Sequence, residues 1–479
     1  MAQRAALGGA MVAVGILSLT ATFVAPYRAL DDDAHPPVER YLGQLDGAGR
    51  LTRIEGPDGS TTWTSVTTRR LPDLLLADVE DDAVDAVLAR AGSDMATFSR
   101  TGDLPGVAVH RDEVVERDAS GTTASAALTM VDDEGYALIG FVTDDGATQV
   151  FDPPLPLLPA DPEEGSTWSG EGTFAGAAYR YDAEVVAAGS SRVEVADEER
   201  DCLEVDTVLV LDLGDGDPSE QRSTERWCEG LGSVAYTTDQ GAGAREGVLV
   251  AADGLAPLDR PDPSGGAPGP DQEHGDVPSL GDQRWERTSV VSPLGGLVTA
   301  RPSTLPTVVD GVASMLLLAT EAQPVLQAVH VGAPGGSARA WTVATGAIAY
   351  GAPLVDVAAD LIVVGTSEGQ VRAVTTDGLF LWSSDVGDNV AARPLLAGGT
   401  LVVGSESGDV VGLDPDDGSE RWRTRTGGPV VSWPALVDGL VVVGSDDGVV
   451  RAVDPEDGDV RWSHDLGAGV EAPRRGVAG

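Results

Sequence analysis

Val443-Gly444-Ser445-Asp446-Asp447-Gly448-Val449-Val450-Arg451-Ala452-Val453-Asp454-Pro455-Glu456-Asp457-Gly458-Asp459-Val460-Arg461-Trp462 is the stretch that decides the fold, because the chain says it three times. A second copy runs from Val403 to Trp422, and a third, one residue shorter, from Val364 to Trp382. Leu440-Val441-Val442-Val443 is a β-branched run of the kind that fills a strand packed on both faces. Gly444 and Gly448 bracket a tight polar connection, and Val449 to Val453 is the next strand. In Asp454-Pro455-Glu456-Asp457-Gly458, proline fixes φ, aspartate bonds its own backbone and glycine takes the left-handed position. Trp462 ends the outgoing strand. A period of about 40 residues, all strand and turn, predicts β-propeller blades.

The same pieces recur at Gly404, Gly408, Gly418 and Trp422, and at Gly365, Gly369, Gly378 and Trp382. A proline opens each copy, at Pro434, Pro394, Pro353 and Pro306. A worn copy between Trp285 and Trp341 keeps Met315-Leu316-Leu317-Leu318 but has lost the paired glycines, as terminal repeats do. At these residues the chain resembles the propeller repeat named after pyrroloquinoline quinone (PQQ) enzymes. That pattern is an apolar strand, Val-Gly-Ser-x-x-Gly, a strand, Asp-x-x-x-Gly and tryptophan. The resemblance covers roughly residues 285 to 479. It implies one four-stranded blade per copy, with Trp341, Trp382, Trp422 and Trp462 as packing residues between blades.

The chain of 479 residues has room for two or three domains. It has no lysine and a single asparagine, Asn389, which reads as a GC-rich, actinobacterial genome, with a haloarchaeal source as the alternative. A formal net charge of −46 argues against nucleic acid, since phosphate contact needs a basic patch. It argues equally against adsorption to anionic lipid.

Ala5 to Ala25 carries no charge, and about 20 apolar residues suffice to cross a bilayer. A single-pass membrane anchor over residues 5–25 is therefore expected, with the amino terminus cytoplasmic and the bulk extracytoplasmic. Secretion after signal cleavage is the alternative. The expected order is anchor and flanks (1–30), a polar tether (31–46), a β-rich domain with one helix (47–257), a Pro/Gly/Asp-rich linker (258–282) and the repeats (283–479). Strands are predicted at Thr61–Thr67, Ala126–Val131, Tyr136–Val142 and about Val205–Leu213. The helix rests on Val79, Ala83, Val84, Val87, Leu88 and Ala91, which share one face at helical spacing.

The two cysteines lie in this unit. A hairpin centred on Asp215 sets Cys202 opposite Cys228, so a cross-strand disulfide is expected; two buried free thiols are the alternative. A bridge fits an oxidising compartment.

No catalytic constellation emerges. His35, His110, His274, His330 and His464 stand apart without ligand spacing, and no nucleophile elbow, P-loop or cysteine–histidine couple is present. Asp212 to Asp217 resembles a loose calcium loop without its closing glutamate, and the Asp414 and Asp454 turns read as turns first. The PQQ resemblance raises a quinone-dependent dehydrogenase. That enzyme type has about eight blades, an adjacent cysteine pair and an amide ligand for calcium; this chain offers four recognisable copies, no adjacent cysteine pair and a single asparagine, so neither PQQ nor calcium is expected.

The sequence reading is thus a mainly all-β protein with a transmembrane helix and a propeller-like domain of about four blades. It is expected to be non-catalytic, a membrane-anchored binding or scaffolding platform for another envelope protein. Two functional alternatives remain: the quinone enzyme, or an envelope assembly factor similar to the propeller lipoprotein of outer-membrane barrel assembly. The ring either closes with four blades, stays open, or is completed as a homodimer through the propeller edge.

Overall fold

The computed structural model describes residues 37–42, 47–71, 107–143, 148–212, 218–241, 243–262, 303–309, 312–319, 324–330 and 338–470. It divides into two units, Met1–Leu258 and Asp259–Gly479.

The first unit is a closed barrel of twelve antiparallel strands: β1 (Gly49–Glu55), β2 (Thr61–Arg70), β3 (Ala108–Asp118), β4 (Gly121–Asp132), β5 (Gly135–Val142), β6 (Thr148–Pro159), β7 (Thr167–Phe174), β8 (Ala177–Val193), β9 (Glu198–Asp212), β10 (Ser219–Cys228), β11 (Gly232–Asp239) and β12 (Ala244–Ala252). Each strand pairs with its neighbours in sequence, and β1 closes the sheet by pairing with β12, Arg53 opposite Val248. Strict alternation drives this. Along β8, Ala177, Tyr179, Tyr181, Ala183 and Val185 are buried while Ala178, Arg180, Glu184 and Val186 between them are exposed. The inward residues of successive strands form one core, including Val66, Val114, Tyr136, Phe151, Phe174, Tyr179, Val205 and Trp227. Phe151 and Phe174 stack at 4.3 Å, and Phe141 meets both edge-on. Closure leaves no unpaired edge.

Residues 37–42 fall within the stretch expected as a tether. Pro37–Tyr41 forms a 3-10 turn, and Val38 and Leu42 are fully buried in the barrel core. Val38 N–H donates to the Ala160 carbonyl at 2.8 Å, and Gly230 N–H to that of Arg40 at 2.8 Å.

Among the described residues the second unit holds four antiparallel four-stranded sheets, each a simple meander. They are β13–β16 (Ser303–Val309, Val312–Ala319, Val325–His330, Ala338–Ala344), β17–β20 (Leu354–Asp356, Leu361–Gly365, Gln370–Val374, Phe380–Asp385), β21–β24 (Leu395–Ala397, Thr400–Gly404, Asp409–Leu413, Glu420–Arg425) and β25–β28 (Ala435–Val437, Leu440–Gly444, Val449–Val453, Val460–Asp465). The worn repeat therefore forms a complete sheet.

Three expectations are corrected. The barrel replaces a β-rich domain with one helix: among the described residues the helical pieces are two 3-10 turns, Pro37–Tyr41 and Glu194–Ala196, and the helix expected over residues 79–91 lies outside them. The membrane-spanning helix is set aside, because no helix among the described residues is long and apolar enough to cross a membrane; residues 5–25 lie outside them. With it go the single-pass topology, the cell-membrane localisation and the membrane as partner. The propeller-like domain is corrected to four separate four-stranded sheets over a C-terminal fragment, and in the last of them Trp462 is exposed.

Candidate functional site

The repeat residues build one joint, used again and again. In every sheet the tryptophan stands opposite a small residue just before a register shift: Trp341 opposite Ala328, Trp382 opposite Ala373, Trp422 opposite Gly412 and Trp462 opposite Ala452. The next sheet's turn glycine then closes on the indole. A Cβ on Gly378 would come within 2.7 Å of Trp341, one on Gly418 within 2.4 Å of Trp382, and one on Gly458 within 2.7 Å of Trp422. All three glycines have positive φ (+94°, +73° and +76°), so the turn needs glycine for backbone and for space alike. Trp382 Nε1 donates to the Pro415 carbonyl at 3.0 Å, and Trp422 Nε1 to that of Pro455 at 2.9 Å. The shorter turn at Thr375–Gly378 has no proline at this place, and among the described residues the buried Trp341 Nε1 has no partner.

The paired glycines have a second task. Gly365, Gly404 and Gly444 leave room for Val390, Val430 and Val470, whose side chains stand 2.3, 2.5 and 2.3 Å from where a Cβ would be. The same valines donate N–H to Thr366, Ser405 and Ser445 at 3.0–3.1 Å. Gly369, Gly408 and Gly448 sit at φ +86°, +87° and +82°. Sequence reasoning missed the valines, although their spacing of 40 follows the repeat.

The last sheet breaks the pattern. Trp341, Trp382 and Trp422 are at most 8 % exposed, whereas Trp462 is 46 % exposed, and among the described residues no glycine turn meets it. Val437 on β25, Val460 on β28 and Leu466 just past it are also exposed, while Ala397, the counterpart of Val437, is buried. The polar rim is self-satisfied. Arg461 reaches Asp454 at 2.9 Å and Asp457 at 2.7 Å, which raises its pKa, and Arg451 holds Asp447 at 2.6 Å, keeping that carboxyl far below its usual range. The Asp414 turn is likewise engaged by Arg421 at 2.7 Å. These turns hold arginines.

In the barrel, Cys202 and Cys228 are register partners, and their sulfurs are bonded. The barrel also hides a charged cluster that sequence reasoning did not foresee. Arg50 stands opposite Val66, and Glu225 opposite Val205, so both share the face of the core. Asp112 accepts from Thr68 at 2.6 Å and from Thr129 at 3.3 Å. Arg50 donates to the Ser233 carbonyl. Burial pushes Asp112 up to about 6 and Glu116 and Glu225 up to about 7, and it pulls Arg50 down to about 9 and His110 to about 3. The signal available was charge at inward strand positions, which pattern reading assigns to apolar residues.

Of the other candidates, His464 lies on β28; His35 and His274, and the loop 213–217, lie outside the described residues. Among the described residues no three or more His, Cys, Asp or Glu side chains are grouped to hold a metal ion.

A family profile described as outer membrane protein assembly factor BamB matches residues 367–477, under a quarter of the chain. No curated protein matches. A crystal structure of BamB from Moraxella catarrhalis aligns at 22 % identity with a TM-score of 0.30, over 36 % of this chain and 50 % of that one. The alignment spans half the length of that protein, and so low a score carries no argument. Residues 367–477 are thus distantly homologous to the BamB-type repeat family, over a C-terminal fragment of the chain.

Proposed function

We propose that the chain is a non-catalytic scaffolding protein, of the assembly-factor kind that the matched family's description names. The match over residues 367–477 carries this reading. The joint chemistry supports it: the repeated tryptophans, glycines and carboxylates are spent on packing sheets and neutralising arginines. The expectation of membrane anchoring is not part of it, and neither is a homodimer through a propeller edge.

Cross-linking in cells tests the reading. Because the chain has no lysine but 77 acidic residues, the reagent must be carboxylate-directed. Reproducible links from the four sheets to a second protein, in near-equal amount, are expected. Dye reduction by the purified chain after addition of PQQ and calcium, with no such links, would overturn it in favour of the dehydrogenase.

A further inference from the structure

The geometry points to the open face of the fourth sheet as a docking seat for a β-sheet of a different polypeptide, which lays a Pro-x-x-Gly turn on Trp462. This rests on the scaffolding reading and names the partner's chemistry. The three joints inside the unit define what such a face takes. Each indole receives a glycine at positive φ, and the two with a proline in the turn also give their N–H to its carbonyl. Trp462 stands in the same register, opposite Ala452 before the same shift, yet is 46 % exposed. Val460 on its strand, Leu466 just past the strand's end and Val437 on β25 are exposed apolar side chains of the same sheet. Such a face, rimmed by ion pairs that already satisfy themselves, suits burial against a sheet.

A second copy does not supply the turn. Its three competent glycines, Gly378, Gly418 and Gly458, are already seated on Trp341, Trp382 and Trp422 of their own chain. Its first repeat reads Val331-Gly332-Ala333-Pro334-Gly335-Gly336-Ser337 at that place, without the aspartate four residues before glycine. The net charge of −46 further disfavours self-association and selects a partner that is less acidic.

The probe is a backbone-cyclised hairpin peptide copying residues 449–465, labelled and titrated into the full chain. Saturable binding is expected, weakened about tenfold or more by Trp462→Ala, as for a buried aromatic anchor. A peptide carrying Gly458→Val should not bind, because its side chain would strike the receiving indole. Unchanged melting of the Trp462→Ala protein confirms that its fold is intact. No binding, or binding indifferent to either change, overturns the proposal. Self-association of the full chain that Trp462→Ala abolishes also overturns it, in favour of a second copy. A photo-cross-linking residue placed at Val460, on the same strand with Trp462 kept, should trap a turn of the Pro-x-x-Gly type in cells, and a trapped segment of any other kind counts against the seat. Hairpin binding without carboxylate cross-links would sink the scaffolding reading and leave the seat. Links without hairpin binding would do the reverse.

Discussion

Replacing Trp341, Trp422 and Trp462 by phenylalanine, one at a time, separates the parts of the joint. Each change removes the same pyrrole ring and its N–H. At Trp422 the N–H donates to Pro455 at 2.9 Å, in a residue 8 % exposed. Losing that bond costs about 1 kcal/mol, beyond the lost packing. At Trp341 the residue is 2 % exposed and its N–H has no partner among the described residues. Phenylalanine there loses similar packing but removes a buried, unsatisfied donor, whose penalty is about 1–3 kcal/mol. The two substitutions should therefore differ by roughly 2 kcal/mol or more, with Trp422→Phe the worse. For a unit of this size, that is a gap in Tm of about 4–8 °C. Trp462→Phe, at a site 46 % exposed, should cost under about 0.5 kcal/mol. Differential scanning calorimetry of the full chain, followed on the transition of the four sheets, measures all three. Equal losses at 341 and 422 would refute the hydrogen-bond argument. A large loss at 462 would mean that its indole is already covered.

Gly418→Ala should cost about 3 kcal/mol or more, because alanine adds a clash with Trp382 to a left-handed backbone; Gly439→Ala, at φ +80° with open space around it, should cost only about 1. Similar losses at both sites, by chemical denaturation, would remove the clash from the account. Reducing the Cys202–Cys228 bridge, which spans 26 residues, should destabilise the barrel by about 3.5 kcal/mol in the chain-entropy model, and a barrel transition unmoved by reductant would contradict it. Asp112, Glu116 and Glu225 are raised above their unfolded values and outnumber His110, which is lowered to about 3 and acts in the opposite sense, so the folded barrel binds more protons than the unfolded chain between about pH 4 and 7. Barrel stability should therefore fall as pH rises through that window. Asp112→Asn should flatten the profile, and a barrel Tm that climbs from pH 5 to 7.5 would show that these groups are not buried together.

The four sheets were legible because their chemistry is local. A β-branched run, two bracketing glycines, an Asp-x-x-x-Gly turn and a tryptophan specify a hairpin within about forty residues, and repetition confirms the reading. The worn first repeat kept its apolar run and so kept its strands. Neighbouring strands of the barrel were legible in the same way, through the runs at Thr61, Ala126, Tyr136 and Val205. Closure was not, because it depends on β1 meeting β12 some 195 residues later, Arg53 against Val248. Alternation says which face a residue takes but not which distant strand it joins. Arg50, Asp112 and Glu225 were hidden for a related reason. A charge at an inward position looks like a solvent-facing residue until the sheet closes around it. The open seat at Trp462 was legible only in outline: the sequence shows a fourth tryptophan, but its exposure depends on what packs against it.

The barrel's hydrogen-bond ladder runs round without an end, while the described joints of the four sheets run from neighbour to neighbour, one tryptophan on one glycine turn. These topologies respond differently to mechanical load. A ring of twelve strands has no first strand to peel, so a pulling force must break several ladders together, and rupture comes as one event. The sheets can be drawn off singly from the Trp462 end, each yielding a short length of chain as one tryptophan leaves one glycine turn. Under tension, one polypeptide would thus behave as a rigid fixture in one half and a graded, extensible spring in the other.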